Sequence, residues 1–268
     1  MQLDPAAAAA GLRLYDHETL PSTNAEALTR ARRGEASFWV TARTQTAGRG
    51  RRGNAWQSDP GNLFATLLLR DPAPPQHAPE LAFVAALAVL DAIMGRAPAL
   101  RPKLALKWPN DVLCGGAKLA GILIEAESER AGEGAALIAA VGIGVNCRHH
   151  PAQTSYPATD LAAAGAPVAA EDLFGTLSGT MLRRLAQWDR GENFSAVRAD
   201  WLAHAAGLGG DLLVRLPGRD LRGRFEALDE RGRLLLRRAD GGLETISAGD
   251  VFPVAAPQGS APQQGRVA

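Results

Sequence analysis

Apolar and polar residues alternate with period two in many short stretches of the chain and spread over helical faces in a few longer ones. Residues 12–18 alternate as a strand. Thr23 has Glu26 three residues on, the spacing of a capping box, which predicts a helix from Thr23 to about Arg33. Residues 38–42 read as a strand entering a Gly/Arg-rich loop at 44–62. Residues 63–69 form a second apolar strand, stopped by the Pro-rich breaker at 71–75. Residues 80–95 are apolar on most faces and predict a buried helix. Four more strands follow at 103–108, 111–114, 118–126 and 136–146, with Gly115-Gly116 as a hairpin turn, and then helices at 171–188 and 194–205. Strands and helices segregated in this way point to an α+β fold rather than a doubly wound parallel sheet.

The pattern changes at Gly207-Leu208-Gly209-Gly210. Five short alternating strands follow, at about 211–216, 221–228, 233–237, 243–247 and 251–254, too few for a sandwich but enough for a small SH3-like β-barrel. The predicted domains are therefore 1–207 and 208–255, with a Pro/Gln/Gly-rich disordered tail at 256–268. A chain of 268 residues suits one large domain with a small companion.

Composition narrows the class. Hydrophobic residues make up 46 % and charged residues 21 %, which excludes disordered, collagenous and coiled-coil proteins. The longest apolar run, 81–90, is half a membrane span, and the N-terminus lacks the basic and apolar regions of a signal peptide, so a cytoplasmic location is expected. Cys114 and Cys147 fit a reducing compartment. A net charge of +1 gives no bulk attraction to nucleic acid or to a membrane. Of 29 basic residues only three are lysines (Lys103, Lys107 and Lys118), all within one short window. They either mark a place that needs a compact ammonium or reflect coding bias.

Four segments hold the candidate chemistry. Gly48-Arg49-Gly50-Arg51-Arg52-Gly53 matches the Gly-x-Gly-x-x-Gly fingerprint, but Pro60-Gly61 prevents a helix from following, so a Rossmann site is rejected. The segment is instead an anion-binding loop, mobile until its guanidiniums are neutralised, or a solvated arginine turn. Lys107-Trp108-Pro109-Asn110-Asp111 brings an ammonium, an amide and a carboxylate to one strand-to-strand corner, either as a site or as a turn with an exposed ion pair. Lys118 begins the run to Glu125, and strict alternation puts it on the face of Ala120, Ile122 and Ile124, snorkelling or pointing into a pocket. Gly142-Ile143-Gly144-Val145-Asn146 allows close backbone approach and ends on an amide. No Cys/His spacing suits zinc, and there is no Walker A sequence or Gly-x-Ser-x-Gly elbow. These absences point to chemistry in which positive charge and amides hold a polyanion, without a side-chain nucleophile.

Taken in order, these segments together with Ser22-Thr23-Asn24 and Gln45 give a chain that resembles the biotin protein ligase (biotin–acetyl-CoA-carboxylase ligase) family over about residues 12–146. The resemblance implies a mixed-sheet catalytic domain of the biotin/lipoate ligase type, similar to class II aminoacyl-tRNA synthetases, with the small barrel behind it. It also implies the monofunctional form, without an N-terminal DNA-binding domain. The implied reaction has two steps. Biotin and Mg²⁺-ATP give biotinyl-5′-AMP and pyrophosphate, and a lysine of a biotin carboxyl carrier protein then takes the biotinyl group and releases AMP.

By the same resemblance the catalytic residues are Arg51, Lys118, Lys107 and Asp111. Ser22, Thr23, Asn24 and Gln45 contact the biotin ring. Gly48, Arg49, Gly50 and Arg51 form the loop that orders over the ligands, and Lys118, Gly121 and Asn146 line the adenylate. Trp56 either stacks on adenine or anchors the loop by packing, and Thr23 is a helix cap, a ligand contact or both. No resident metal, nucleic acid or membrane partner is expected, and the state is monomer or homodimer. The alternatives are a lipoate or octanoate ligase or transferase, and a biotin-sensing regulator without turnover.

Overall fold

A computed structural model describes residues 1–131, 134–154 and 156–254. The N-terminal alanines form a helix that the strand pattern did not suggest, α1 (Pro5–Ala9). The Asp4 carboxylate caps it by accepting from the Ala6 N–H, and Pro5 occupies its first turn, where a missing N–H costs nothing. Next come β1 (Arg13–Leu20), α2 (Thr23–Ala31), β2 (Phe38–Gln45), β3 (Leu63–Arg70), α3 (Leu81–Arg96), β4 (Leu104–Lys107), β5 (Asp111–Cys114), β6 (Ala117–Ala131) and β7 (Gly134–Val145). Among the described residues these seven strands form one sheet in the order β1-β2-β3-β7-β6-β5-β4. Only β1 and β2 run parallel, so the sheet is mixed, as expected.

α2 starts at Thr23 as expected, but Thr23 is not its cap. Ser22 is the N-cap and accepts from the Ala25 N–H at 3.4 Å, which frees the Thr23 side chain for other contacts, while Glu26 pairs with Arg30 one turn on. α3 crosses one face of the sheet and buries eleven of its residues against it and against α4 (Ala170–Trp188). Each fully buried Leu, Val or Phe contributes about 1.5–3 kcal/mol. The helical stretch Pro75–Arg96 is apolar and long enough to cross a membrane, longer than the apolar run in the sequence suggests, and two-thirds of it is buried inside the protein. α2 covers part of the opposite face, where Ala27, Leu28 and Ala31 pack on Phe38, Val40 and Leu68. The rest of that face is open, and the candidate site lies there.

After α5 (Phe194–Ala203) the backbone of His204 and Ala206 hydrogen-bonds Leu106 and covers the edge strand β4. The C-terminal strands are β8 (Asp211–Leu216), β9 (Arg219–Leu228), β10 (Leu234–Arg237), β11 (Leu243–Ile246) and β12 (Asp250–Pro253). They pair antiparallel in the order β11-β10-β9-β8-β12, and among the described residues β11 and β12 do not pair with each other. The expected barrel is thus, among the described residues, a five-stranded antiparallel sheet with no pairing that closes it. It docks through Trp108, whose indole N–H donates to the Gly232 carbonyl at 3.0 Å, and through Gly232 itself, which lies against the ring of Phe83. The tail expected to be disordered lies outside the described residues.

Candidate active site

A cavity of about 390 Å³ opens where the start of α2, the Gly/Arg loop, the β4–β5 corner, β6, β7 and the C-terminal sheet meet. All fourteen residues assigned to the site from the sequence map to this region, and all but Gly48 line the cavity itself. Gly48 sits just behind: a Cβ there would lie 2.6 Å from Ser58 Oγ and 2.8 Å from the Trp56 carbonyl, so only glycine lets the loop close on its own exit strand.

One end of the cavity is a hydrogen-bond network. Gln45 Oε1 accepts from the Thr23 N–H at 2.9 Å and lies 3.1 Å from the Thr23 hydroxyl, which turns its Nε2 toward Ser58 Oγ at 3.1 Å. Thr66, buried on β3, places its hydroxyl 2.6 Å from Asn24 Oδ1 and 2.8 Å from Thr23 Oγ1. It has a single proton, and the amide oxygen can only accept, so Thr66 donates to Asn24. Thr66 was missed in the sequence, where its one polar group inside Leu63–Arg70 was the available signal.

At the other end two ammoniums share one carboxylate, with a guanidinium nearby. Asp111 is 3.1 Å from Lys107 Nζ and 2.7 Å from Lys118 Nζ. Burial alone would push its carboxyl up, but Lys118 and then Lys107 outweigh this and hold it below the ordinary value. The corner is therefore not an exposed ion pair. Lys118 reaches it for a reason that strict alternation hides. β6 carries a bulge at Leu119: Val112 pairs with Ala120 but Leu113 with Lys118. Leu119, Ala120 and Ile122 all enter the core, and Lys118 turns to the opposite face, where it nearly touches the space above Gly121.

The third cation, Arg51, donates to Asn110 Oδ1 at 3.1 Å and touches no carboxylate. Burial, aided by Arg52, draws its guanidinium below the ordinary range against the pull of Asp250 and Asp111. Arginine stays protonated even so, which leaves a largely buried cation whose charge is not matched. The expectation that the loop guanidiniums lie uncovered is corrected: Arg49 pairs with Glu125 at 3.0 Å, and Arg52 with Asp250 of the C-terminal sheet at 2.7 Å.

Trp56 spans these two ends. Its indole lies on the strand glycines: a Cβ at Gly144 would be 2.5 Å from Trp56 Cε2, and one at Gly121 3.0 Å from Cζ3. The glycines of β6 and β7 are thus a floor for a flat ring, and Trp56 packs there as an anchor. Its buried N–H has no partner, and the Lys118 ammonium sits 5.4 Å from its ring centre. Asn146 donates to the Thr159 carbonyl at 3.0 Å at the rim. Tyr156, Arg215 and Phe252, also missed in the sequence, close the far wall. Lys107 lies over the Tyr156 ring at 4.5 Å, and Arg215 over Phe252 at 4.8 Å. Arg215 and Phe252 belong to the C-terminal strands and Tyr156 to the loop after β7, so no pattern within the motif segments marks them. Among the described residues no group of His, Cys, Asp and Glu is disposed to hold a metal.

Residues 17–146 match the Biotin/lipoate A/B protein ligase family, and residues 213–252 match the Biotin protein ligase C terminal domain. The chain is 42 % identical over 237 residues to a biotin–[acetyl-CoA-carboxylase] ligase of Paracoccus denitrificans, covering 86 % of this chain and 96 % of that one. A biotin protein ligase of Aquifex aeolicus, solved in complex with biotin and ATP, has the same fold, with a TM-score of 0.70 at 24 % identity over 90 % of this chain and 98 % of that one. A biotin protein ligase of Leishmania major, solved in complex with biotinyl-5-AMP, aligns with a TM-score of 0.60 at 26 % identity over 88 % of this chain and 99 % of that one. A bipartite match in the right order, and identity of this extent over nearly the whole of a curated ligase, make the chain a member of the biotin protein ligase family.

Proposed function

We propose that the chain joins biotin to one lysine of a biotin carboxyl carrier domain through biotinyl-5′-AMP held in this cavity. The observation that carries the reading is the charge arrangement: Lys107 and Lys118 share one carboxylate and Arg51 stands near it on Asn110, beside a polar hydrogen-bonding end and a glycine floor that carries the Trp56 indole. A bicyclic urea needs N–H and C=O partners at one end, which Ser22, Thr23, Asn24 and Gln45 offer. The dithiolane or alkyl chain of lipoate or octanoate would leave that network unused, and the Trp56 indole resting on the glycine floor offers a flat face to an adenine ring.

In the first step a biotin carboxylate oxygen attacks the α-phosphorus of ATP, and the bond to pyrophosphate breaks. Two anions must meet, so the unmatched guanidinium of Arg51 and the ammonium of Lys118 offset their repulsion and spread the charge of the transition state. Lys107 and Asp111 hold the corner in place, and Asn146 lines the nucleotide. Magnesium would travel on the phosphates of ATP, because the one central carboxylate is already engaged by two lysines.

In the second step a neutral lysine amine attacks the acyl carbon, the bond to AMP breaks, and the amine sheds a proton. With a pKa of about 10.4 in water, only about one acceptor amine in a thousand is neutral near pH 7. Asp111, held below its ordinary value, is a poor base for that proton and serves to orient the two lysines. The loop bearing Arg49, Arg51 and Arg52 excludes water from the mixed anhydride.

This reading takes residues 1–207 as the catalytic domain and 208–255 as the smaller domain that completes the far wall. It also takes the action to be cytoplasmic, where the two free, buried cysteines suit a reducing medium. Incubation with ATP, biotin and an acceptor domain, followed by intact mass, tests it. One biotinyl group on one acceptor lysine is expected. Transfer of lipoate in preference to biotin, or biotin binding without any transfer, would overturn it.

A further inference from the structure

Glu125 closes the run that begins at Lys118, and the chemistry above leaves it unused. It meets two groups from different elements. Its Oε2 accepts from Asn24 Nδ2 at 2.8 Å, at the start of α2. Both of its oxygens also face Arg49 Nη2 of the loop, at 3.0 and 3.2 Å.

The consequence for Asn24 is specific. Its amide donates to Glu125 and leans toward the Leu123 carbonyl at 3.4 Å, so its two N–H groups are spoken for. Its Oδ1 takes the proton of Thr66 and keeps one free lone pair. The amide lies flat against the sheet, since a Cβ at Gly142 would be only 2.9 Å from Asn24 Cγ. An acceptor-only carboxylate at position 125 therefore fixes which end of the amide meets the polar end of the cavity. The same carboxylate holds the first arginine of the loop. That pair is about half exposed on the Arg49 side and adds little by itself. It matters because it ties the loop to the same carboxylate that sets Asn24.

We infer that Glu125 is a positioning residue that couples closure of the loop to recognition of the biotin ring, with one carboxylate setting the Asn24 amide and gripping Arg49. Such coupling is reciprocal: a ligand that uses Asn24 Oδ1 favours the closed loop, and the closed loop favours that ligand. The inference rests on the reading of the cavity as a biotinyl-adenylate site.

The test uses the full chain as parent, Glu125→Gln, Arg49→Gln and the double variant. Each is loaded with biotin and ATP in the presence of pyrophosphatase and desalted, and loss of bound adenylate is followed by mass spectrometry. Each single variant is expected to release adenylate about three- to fivefold faster, in keeping with a half-exposed pair. The double variant should release it no faster than Glu125→Gln alone, because both changes break the same contact. Glu125→Gln should also raise the KM for biotin in adenylate formation while kcat stays within about twofold, the pattern of lost uniform binding. A merely structural role would give multiplicative effects and no such split, and either result would overturn the coupling.

Release at the parental rate from Glu125→Gln would overturn it too. If Glu125→Gln does not fold, Arg49→Gln, on a half-exposed side chain, still decides: adenylate should protect its loop from trypsin less than it protects the parent's, and equal protection sinks the inference. A parent that forms no adenylate overturns both the inference and the reading of the site. An active parent matched by its variants overturns the inference alone.

Discussion

Replacing Asp111 by Asn keeps the volume of the side chain and removes the one carboxylate between Lys107 and Lys118, which lie 3.1 and 2.7 Å away. Lys107 is 11 % exposed and Lys118 29 %, so both ammoniums lose their counter-charge in a poorly hydrated wall. Removing one partner of a buried pair costs about 3–5 kcal/mol. The access of Lys118 to water reduces its share, leaving about 2–3 kcal/mol. At about 2–4 °C per kcal/mol for a chain near this size, the melting temperature should fall by about 4–12 °C. Pyrophosphate should restore more of this loss in Asp111→Asn than it adds to the parent, since a polyanion replaces the missing charge.

Lys118→Met should behave differently. Asp111 loses the nearer of its two counter-charges but keeps Lys107, so the melting temperature should fall less than in Asp111→Asn, while adenylate formation collapses. Calorimetric scans near neutral pH, with and without pyrophosphate, measure the difference. A melting temperature for Asp111→Asn within about 2 °C of the parent, less than 1 kcal/mol here, would refute the buried-triad reasoning. Equal stabilisation of both proteins by pyrophosphate would refute it as well. The pH dependence has a fixed sign. The folded carboxyl lies below its unfolded value near 3.8, so its contribution is fully present above that pH and is lost as pH falls through the lower folded value. Asp111→Asn should lack that part of the acid limb.

Arg51→Gly should leave the melting temperature nearly unchanged, because Arg51 gives up only one bond to an amide, yet free biotinyl-5′-AMP should appear in the medium; none beyond the parental level would count against the role of the loop. Gly144→Ala puts a Cβ 2.5 Å from the Trp56 indole, so Trp56 should leave the floor, with a change in tryptophan emission and at least a tenfold loss of adenylate formation, about 1.4 kcal/mol. Trp108→Phe strands the buried Gly232 carbonyl at a cost of about 1–3 kcal/mol, and protease-accessible sites in residues 208–254 should be cleaved faster.

Much of the architecture was legible in the sequence because it rests on local pattern. The hairpin at Gly115-Gly116, the buried helix Leu81–Arg96 and the five late strands follow from periodicity and turn chemistry, which act over a few residues. The motif residues were legible too, because close backbone approach needs glycine and a polyanion needs cations, whatever the fold around them. Local pattern failed where a neighbour decides. Ser22 caps α2 because Gln45, on another element, engages Thr23. The side chain of Lys118 changes face because one extra residue at Leu119 breaks the alternation, and periodicity cannot register a bulge that pairing with β5 creates.

The sequence by itself determined the composition of the site: an arginine-rich loop, three lysines in one window, a carboxylate at a corner and glycines on two strands. Only the tertiary structure decided that Asp111 is shared by two lysines, that Arg51 is left without a carboxylate among the described residues, and that Thr66, Phe252 and Asp250 join them from remote segments. The physical reason is range. Turn and strand preferences are properties of neighbouring residues, whereas desolvation and the matching of charges are set by whatever the folded chain brings within a few ångströms.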